Sequence, residues 1–324
     1  MIISSKPPPP NRFQILSLDG GGLKGLFSVS FLEQLEEDAG KPCHEMFDLI
    51  CGTSTGGIIA LGLGLGIPAA QIKKFYLEDA DQIFSKTAFS KLKQAVTAKY
   101  GIEGLNEALA KHFGNCLLGE SKTRLLIPAT HADRQEVYIY KTSHHEHLTQ
   151  DCKVPVTNVA RATSAAPTYF DPMEQTAGLK LVDGGIWANN PLMLGIAEAL
   201  GYLNQSQENV YALRLGTTDE IAPMGYYPDK GGALALAMPI LDLMMKVQVR
   251  SATSMAQHLL GYGDRLIDVN PPVSYKEFKL DILSENLCGL AAIEYRKAST
   301  LLHKQSYLTH QAPPYSPHRS VTRK

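Results

Sequence analysis

Short apolar runs alternate with amphipathic stretches along most of this chain. Residues 13–18, Phe-Gln-Ile-Leu-Ser-Leu, form a compact run suited to a buried strand, and residues 47–51, Phe-Asp-Leu-Ile-Cys, form a second. Residues 123–127, 137–140, 179–182 and 210–215 read as further strands. Helical spacing fills the intervals. Leu26, Val29, Phe31, Leu32 and Leu35 follow the first run, and Ile58, Ile59, Leu61, Leu63 and Leu65 follow the second. The order strand, helix, strand, helix, helices, strands, helix, strand, helix, strand predicts an α/β protein. Its expected form is a three-layer α/β/α fold with a mostly parallel central sheet. Ligands in such folds collect beyond the C-terminal ends of the strands. No internal repeat and no long linker interrupts the pattern.

Three segments are expected. Residues 1–12 form a proline-rich N-terminal arm, residues 13–312 one large domain, and residues 313–324 a flexible polar tail that frays. The length of 324 residues allows a sizeable core, and 44% of the residues are hydrophobic. A formal net charge of −1 gives no electrostatic reason to bind a nucleic acid polymer. The five cysteines, Cys43, Cys51, Cys116, Cys152 and Cys288, form no C-x-x-C pair, and an odd count suits reduced thiols. The apolar stretch 57–67 is too short and too rich in glycine to cross a bilayer. No signal-peptide h-region follows the N-terminal prolines, so a cytoplasmic protein is expected.

Candidate chemistry sits at three strand ends. Gly52-Thr53-Ser54-Thr55-Gly56-Gly57 directly follows the second run. It reads as a strand, a sharp turn with serine at the tip, then a helix: the nucleophile elbow of a serine hydrolase. The plainer alternative is a Gly/Ser/Thr turn without chemistry. Asp19-Gly20-Gly21-Gly22-Leu23-Lys24-Gly25 closes the first run, and its adjacent glycines leave backbone N–H groups able to stabilise an oxyanion. The same glycines fit G-x-G-x-x-G, but no acidic residue ends a second strand about 20 residues on, as a dinucleotide site requires. Asp183-Gly184-Gly185 follows the run 179–182 and would suit a general base, or an ordinary β-turn.

Together, residues 19–25, 52–57 and 183–185 resemble the three signatures of the patatin-like phospholipases. Residues 162–170, residues 188–191 and the set Tyr100, Gly104, Leu105, Leu109, Phe113 and Gly114 extend the resemblance, which runs from about Phe13 to about Gly216. Residues 13–312 would then be a patatin-like phospholipase domain. The resemblance implies a Ser-Asp dyad without histidine: Ser54 as nucleophile, Asp183 as its base, and Gly20, Gly21 and Gly22 as the oxyanion hole. Lys24, Gly52, Gly56 and Gly184 would support them, with no cofactor and no metal. Lys24 departs from the arginine frequent in the family; it keeps the charge and loses the planar fork. A Ser-Asp-His order would need a histidine after Asp183. His258, His303, His310 and His318 are available, but none sits in a glycine-flanked turn. His144-His145-Glu146-His147 lacks helical H-E-x-x-H spacing and reads as a solvated loop.

Three function classes remain open at this point. One is a lipid acyl hydrolase of phospholipase A type acting on membrane phospholipids. The second is an esterase or thioesterase on smaller acyl substrates, and the third is a nucleotide-binding signalling module. The opening 13–22 also resembles bacterial patatin-like effectors of anti-phage signalling. That resemblance implies a cyclic dinucleotide activator and attack on the cell's own membrane; action at the inner face of that membrane and activation through homo-oligomerisation are expected with it. Two regions are candidates for controlling access. Residues 68–84 with Lys86, Lys91, Lys93 and Lys99 read as a lid or membrane-facing element, or as a core helix and a solvated basic face. The Met-rich stretch 234–260 reads as core filling, or as an interface helix.

Overall fold

The computed structural model describes residues 9–84, 100–175, 178–221, 233–261, 265–274 and 277–318. The first half runs β1 (Phe13–Leu18), α1 (Gly25–Ala39), α2 (Cys43–Met46), β2 (Leu49–Gly52), α3 (Thr55–Gly64), α4 (Ala69–Ile83), α5 (Glu103–Phe113), β3 (Arg124–His131) and β4 (Glu136–Lys141). The second half runs α6 (Val156–Thr163), β5 (Met173–Glu174), β6 (Lys180–Asp183), α7 (Gly185–Ala188), α8 (Leu192–Gly201), β7 (Val210–Leu215), β8 (Asp219–Ile221), α9 (Ala233–Leu260), β9 (Leu266–Val269), β10 (Pro272–Ser274) and α10 (Asn286–Lys304).

The main sheet has the order β5-β6-β3-β2-β1-β7-β9, with β4 beside β3. β3, β2, β1, β7 and β9 run parallel, and β4, β5 and β6 join by antiparallel pairing. Strand pleating sends alternate side chains to opposite faces. In β1, Phe13 and Ile15 join one apolar cluster while Leu16 and Leu18 join the other. β2 and β7 divide the same way: Leu49, Cys51, Val210 and Ala212 face α8, whereas Ile50, Leu213 and Leu215 face α1, α3 and α4. Helices therefore cover both faces, and the three-layer α/β/α architecture with a mostly parallel sheet is the observed one. Burying a leucine or isoleucine side chain of this kind stabilises by about 1.5–3 kcal/mol.

Several details differ from the sequence reading. β9 falls in a region that carries no predicted strand; its four residues, Leu266–Val269, complete the edge beside β7. The predicted fraying tail is held in its first half. The His318 N–H donates to the Ser143 carbonyl at 2.7 Å, and Arg124 stacks over Tyr315. The predicted arm also ends in contact: Arg12 is buried between Tyr211 and Tyr307 and donates to the Gln305 carbonyl at 2.7 Å. α4 is a core helix, with Ile72, Phe75, Tyr76 and Ile83 buried. The basic stretch Lys86, Lys91, Lys93 and Lys99 lies outside the described residues. His144 is not solvated: its Nε2 lies 2.9 Å from Glu198 Oε1, with Lys141 on the other carboxylate oxygen. The Met-rich helix α9 does not simply fill core, since Met244 and Met255 are exposed.

A buried arginine that bridges two carboxylates fixes the strand ends. Arg214 of β7 is 2% exposed and donates to Asp19 just beyond β1 and to Asp268 of β9, the latter at 2.7 Å. Although burial opposes its charge, the two carboxylates hold the guanidinium pKa above its ordinary value. Removing one partner strands the others without compensation. Arg214→Met is therefore expected to lower unfolding free energy by about 3–5 kcal/mol, read from the urea midpoint. Arg214→Lys should recover only part of that loss, because lysine lacks the fork. A loss below about 1 kcal/mol for the methionine variant would contradict this account.

Candidate active site

The register around β3 brings Ser54 and Asp183 together. β4 pairs with β3 from Leu126 to His131 and so occupies one whole edge. β2 must then take the other edge, where Leu49, Ile50 and Cys51 pair with Arg124, Leu125 and Leu126. β6 takes the same edge further along, with Asp183 opposite Ala129 and Leu181 opposite His131. β2 is parallel to β3 and β6 antiparallel, so their C-terminal ends meet head to head. Ser54, two residues beyond β2, and Asp183, the last residue of β6, converge there.

The serine turn is tight. Ser54 has φ 55° and ψ −122°, a conformation in which a non-glycine residue is strained. Close backbone approach keeps the flanks small: a Cβ on Gly52 would lie 2.1 Å from the Gly56 carbonyl oxygen, and one on Gly56 would lie 2.2 Å from that of Leu18. Gly184 likewise abuts the Pro128 carbonyl. The Ser54 N–H donates to Thr163 Oγ1 at 3.0 Å, and that hydroxyl donates to the Pro128 carbonyl at 2.6 Å. Asp183 is buried, and burial raises its pKa to about 6. The Gly185 N–H, at 2.7 Å from Oδ1, and the Ser54 hydroxyl hold it from rising further.

The glycine loop lies beside this pair. The Gly20 N–H donates to the Asn189 carbonyl at 3.0 Å, which corrects the expectation that it faces an oxyanion. Gly21 and Gly22 donate to no described residue. Gly22 has φ 58°, and a Cβ on Gly21 would lie 2.1 Å from Thr217 Oγ1, so neither position accepts a side chain without movement. Lys24 is buried behind the loop, 3.7 Å from Glu220, and burial lowers its pKa.

Ser54 and Asp183 line a cavity of about 310 Å³ whose other walls include Ile58, Phe75, Ile83, Phe84, Leu105 and Phe170. No histidine is among the described residues of that lining. His303 and His310 are engaged elsewhere, with Asp38 at 3.0 Å and Asp48 at 2.8 Å, and His258 bonds the carbonyl of Ser254 in its own helix.

Comparison with known proteins gives the family. The patatin-like phospholipase family profile matches residues 16–196. The chain belongs to the patatin-like phospholipase family. A cGAMP-activated phospholipase of Pseudomonas aeruginosa is 34% identical over 267 residues, covering 79% of this chain and 78% of that protein. A cUMP-AMP-activated phospholipase of Escherichia coli is 27% identical over 305 residues, covering 88% and 89%. The crystal structure of VipD from Legionella pneumophila shares the fold, with a TM-score of 0.51, 14% identity, and coverage of 93% of this chain and 68% of that one.

Several residues that build the patatin site carried no assigned role in the sequence reading. Thr163 bridges the serine turn to β3, and Thr217 Oγ1 donates to the Gly20 carbonyl at 2.9 Å. Asn189 takes the Gly20 N–H on its backbone carbonyl. Arg214 was detectable as the one cation inside an otherwise uncharged strand, Val210–Leu215. The threonines give no such signal, because their partners are distant in sequence.

Asp183 has a stability consequence that can be measured apart from any activity. Its folded pKa of about 6 lies above the ordinary carboxylate value of 3.8. Ionising it in the buried site therefore costs stability as pH rises through about 6, and costs nothing at pH values where both states are protonated. Asp183→Asn is expected to be more stable than the parent by up to about 3 kcal/mol near pH 8, with the difference vanishing below about pH 4. Denaturant unfolding across that range checks it, and a pH-independent difference would contradict it.

Proposed function

We propose that this chain is a serine acyl hydrolase of phospholipase A type that cleaves acyl esters of membrane phospholipids, with Ser54 as nucleophile and Asp183 as its base. One observation carries the reading: a strained serine and a buried carboxylate, whose pKa the serine hydroxyl lowers, line one apolar cavity large enough to receive hydrocarbon. Apolar walls favour long acyl chains over small polar esters.

The steps follow from the geometry. Asp183 accepts the Ser54 proton as the hydroxyl oxygen attacks the acyl carbonyl. The oxyanion that forms meets the Gly21 and Gly22 amides. Collapse breaks the ester bond, and Asp183 returns the proton to the departing alkoxide, leaving an acyl-serine and a lysophospholipid. Water then attacks the acyl-serine, Asp183 takes one of its protons, and fatty acid leaves as the Ser54 hydroxyl re-forms. A base with pKa about 6 is ionised at neutral pH, yet close enough to the operating pH to exchange protons efficiently.

Release of fatty acid from phospholipid vesicles tests the dyad. Ser54→Ala and Asp183→Asn should each lower the rate by about 10³-fold or more, whereas single replacements of His258 and His303 should change it less than about twofold. The parent rate should fall on the acid side with an apparent pKa near 6 as Asp183 takes a proton. A histidine variant as inactive as Asp183→Asn would turn the dyad into a triad.

Restraint is part of the reading. An unrestrained phospholipase would degrade the membrane of its own cell. The names of relatives covering most of the chain, cGAMP-activated and cUMP-AMP-activated phospholipase, support a cyclic dinucleotide as activator; action at the inner face of the membrane, in anti-phage defence, is the setting proposed with it. Such a ligand must favour the active state, here an assembled homo-oligomer, by differential affinity. Basal hydrolysis should be low and rise by about tenfold or more with one member of a panel of cyclic di- and trinucleotides, with particle size increasing in parallel. High activity unchanged across the panel would leave a constitutive phospholipase.

A further inference from the structure

The apolar cavity at Ser54 has a polar neighbour. Another cavity, of about 570 Å³, opens on the other side of the glycine loop. Gly21, Asn189, Asp242, Met245 and Leu280 line both cavities, so the two meet along a shared seam at the oxyanion loop. Their characters are opposite. Hydrocarbon dominates the walls around Ser54, whereas ion pairs line the polar space. Arg250 lies 3.3 Å from Asp219, Lys246 lies 3.2 Å from Asp242, and Lys24 lies 3.7 Å from Glu220. Two buried oxygens in the same lining, Thr218 Oγ1 and Asn270 Oδ1, have no partner among the described residues.

We propose that the polar cavity is the headgroup subsite for a phospholipid whose acyl chain fills the apolar cavity, and that it selects a zwitterionic headgroup, a phosphodiester bearing an ammonium group. The proposal rests on the phospholipase reading of Ser54. With the scissile ester over Gly21, the acyl chain leaves on one side of the seam, and the glycerol and headgroup must leave on the other. Cations and carboxylates stand side by side on that polar wall, so a ligand carrying both signs finds a partner for each. Lys246 and Arg250 suit the phosphate, and Asp219 and Asp242 suit the ammonium. A purely anionic headgroup would face the same carboxylates without compensation. That balance of charge also disfavours a dianionic cyclic dinucleotide in this space.

Competition within one vesicle decides the matter. Vesicles hold phosphatidylethanolamine and phosphatidylglycerol in equal amounts with identical acyl chains, and a minor fraction of diacylglycerol. The assay contains the most effective nucleotide from the panel, and the lysolipid and monoacylglycerol products are resolved by mass. All lipids meet the same enzyme on the same surface, so the rate ratio reports relative kcat/KM whatever fraction of the enzyme is active. The parent protein should prefer phosphatidylethanolamine by about fivefold or more. The double variant Asp219→Asn, Asp242→Asn should bring that ratio to within about twofold of unity. Lys246→Ala with Arg250→Ala should lower both phospholipids about fivefold relative to diacylglycerol. A parent ratio within about twofold of unity overturns the proposal even if a variant fails to fold. So does a carboxylate variant that keeps the parent ratio, including one that changes only the nucleotide response, which would assign the cavity to the activator. Absence of lysolipid from the parent protein with every nucleotide removes the phospholipase reading itself, and the subsite with it.

Discussion

Two strands share one edge of β3, and the rest of the site depends on how that sharing ends. β2 approaches from one direction and β6 from the other, leaving a gap opposite Pro128. The Pro128 carbonyl points toward this gap, where the Thr163 hydroxyl donates to it. A strand residue directs its N–H and C=O to the same edge, so an N–H at position 128 would also face the gap and meet no ladder partner. Proline has no N–H and leaves no orphan donor there. Thr163 completes the accounting by accepting the Ser54 N–H. The break in the ladder is thus satisfied group by group, and it is where a serine and a carboxylate from segments about 130 residues apart come into contact.

The glycine loop is held from the opposite side by different means. Arg214 fixes Asp19, while Asn189 and Thr217 hold both polar backbone groups of Gly20. Each bond removes freedom from a segment that glycine would otherwise leave loose. Among the described residues the amides of Gly21 and Gly22 remain without an acceptor, and a fixed pair of unmatched donors is what the proposed oxyanion role requires. The glycine loop and the proposed dyad are thus held largely by different sets of bonds.

Much of this was legible from sequence because it depends on local rules. Strand periodicity located β1, β2, β3, β4, β6 and β7, since each buries side chains in register with its own pleat. Glycines marked Gly52, Gly56 and Gly184, because backbone atoms approach those positions more closely than a Cβ permits. What the sequence hid depends on partners distant along the chain. The commitment of the Gly20 N–H to Asn189 is one case, and the pairing of His144 with Glu198 is another. By composition His144 belongs to a solvated histidine run, and its carboxylate partner emerges only when strand β4 and helix α8 are brought together. The tail follows the same rule: polar composition predicts fraying, but the Ser143 carbonyl and the face of Arg124 supply tertiary partners that composition cannot reveal.

The same junction also sets the strength of the proposed base. A surface aspartate titrates near 3.8 and would be a weak acceptor for a serine proton, whereas a buried one without donors would stay protonated at neutral pH. Asp183 lies between these limits. Its place at the end of β6 buries it, and the turn into α7 brings the Gly185 amide to 2.7 Å from its oxygen. Helix α7 can begin there only because Gly184 lets the chain pass against Pro128, the residue that marks the gap in the sheet. Geometry and basicity are therefore coupled. A substitution that widened the turn at Gly184 would move the carboxylate and withdraw its donor in one step, so position and pKa would change together.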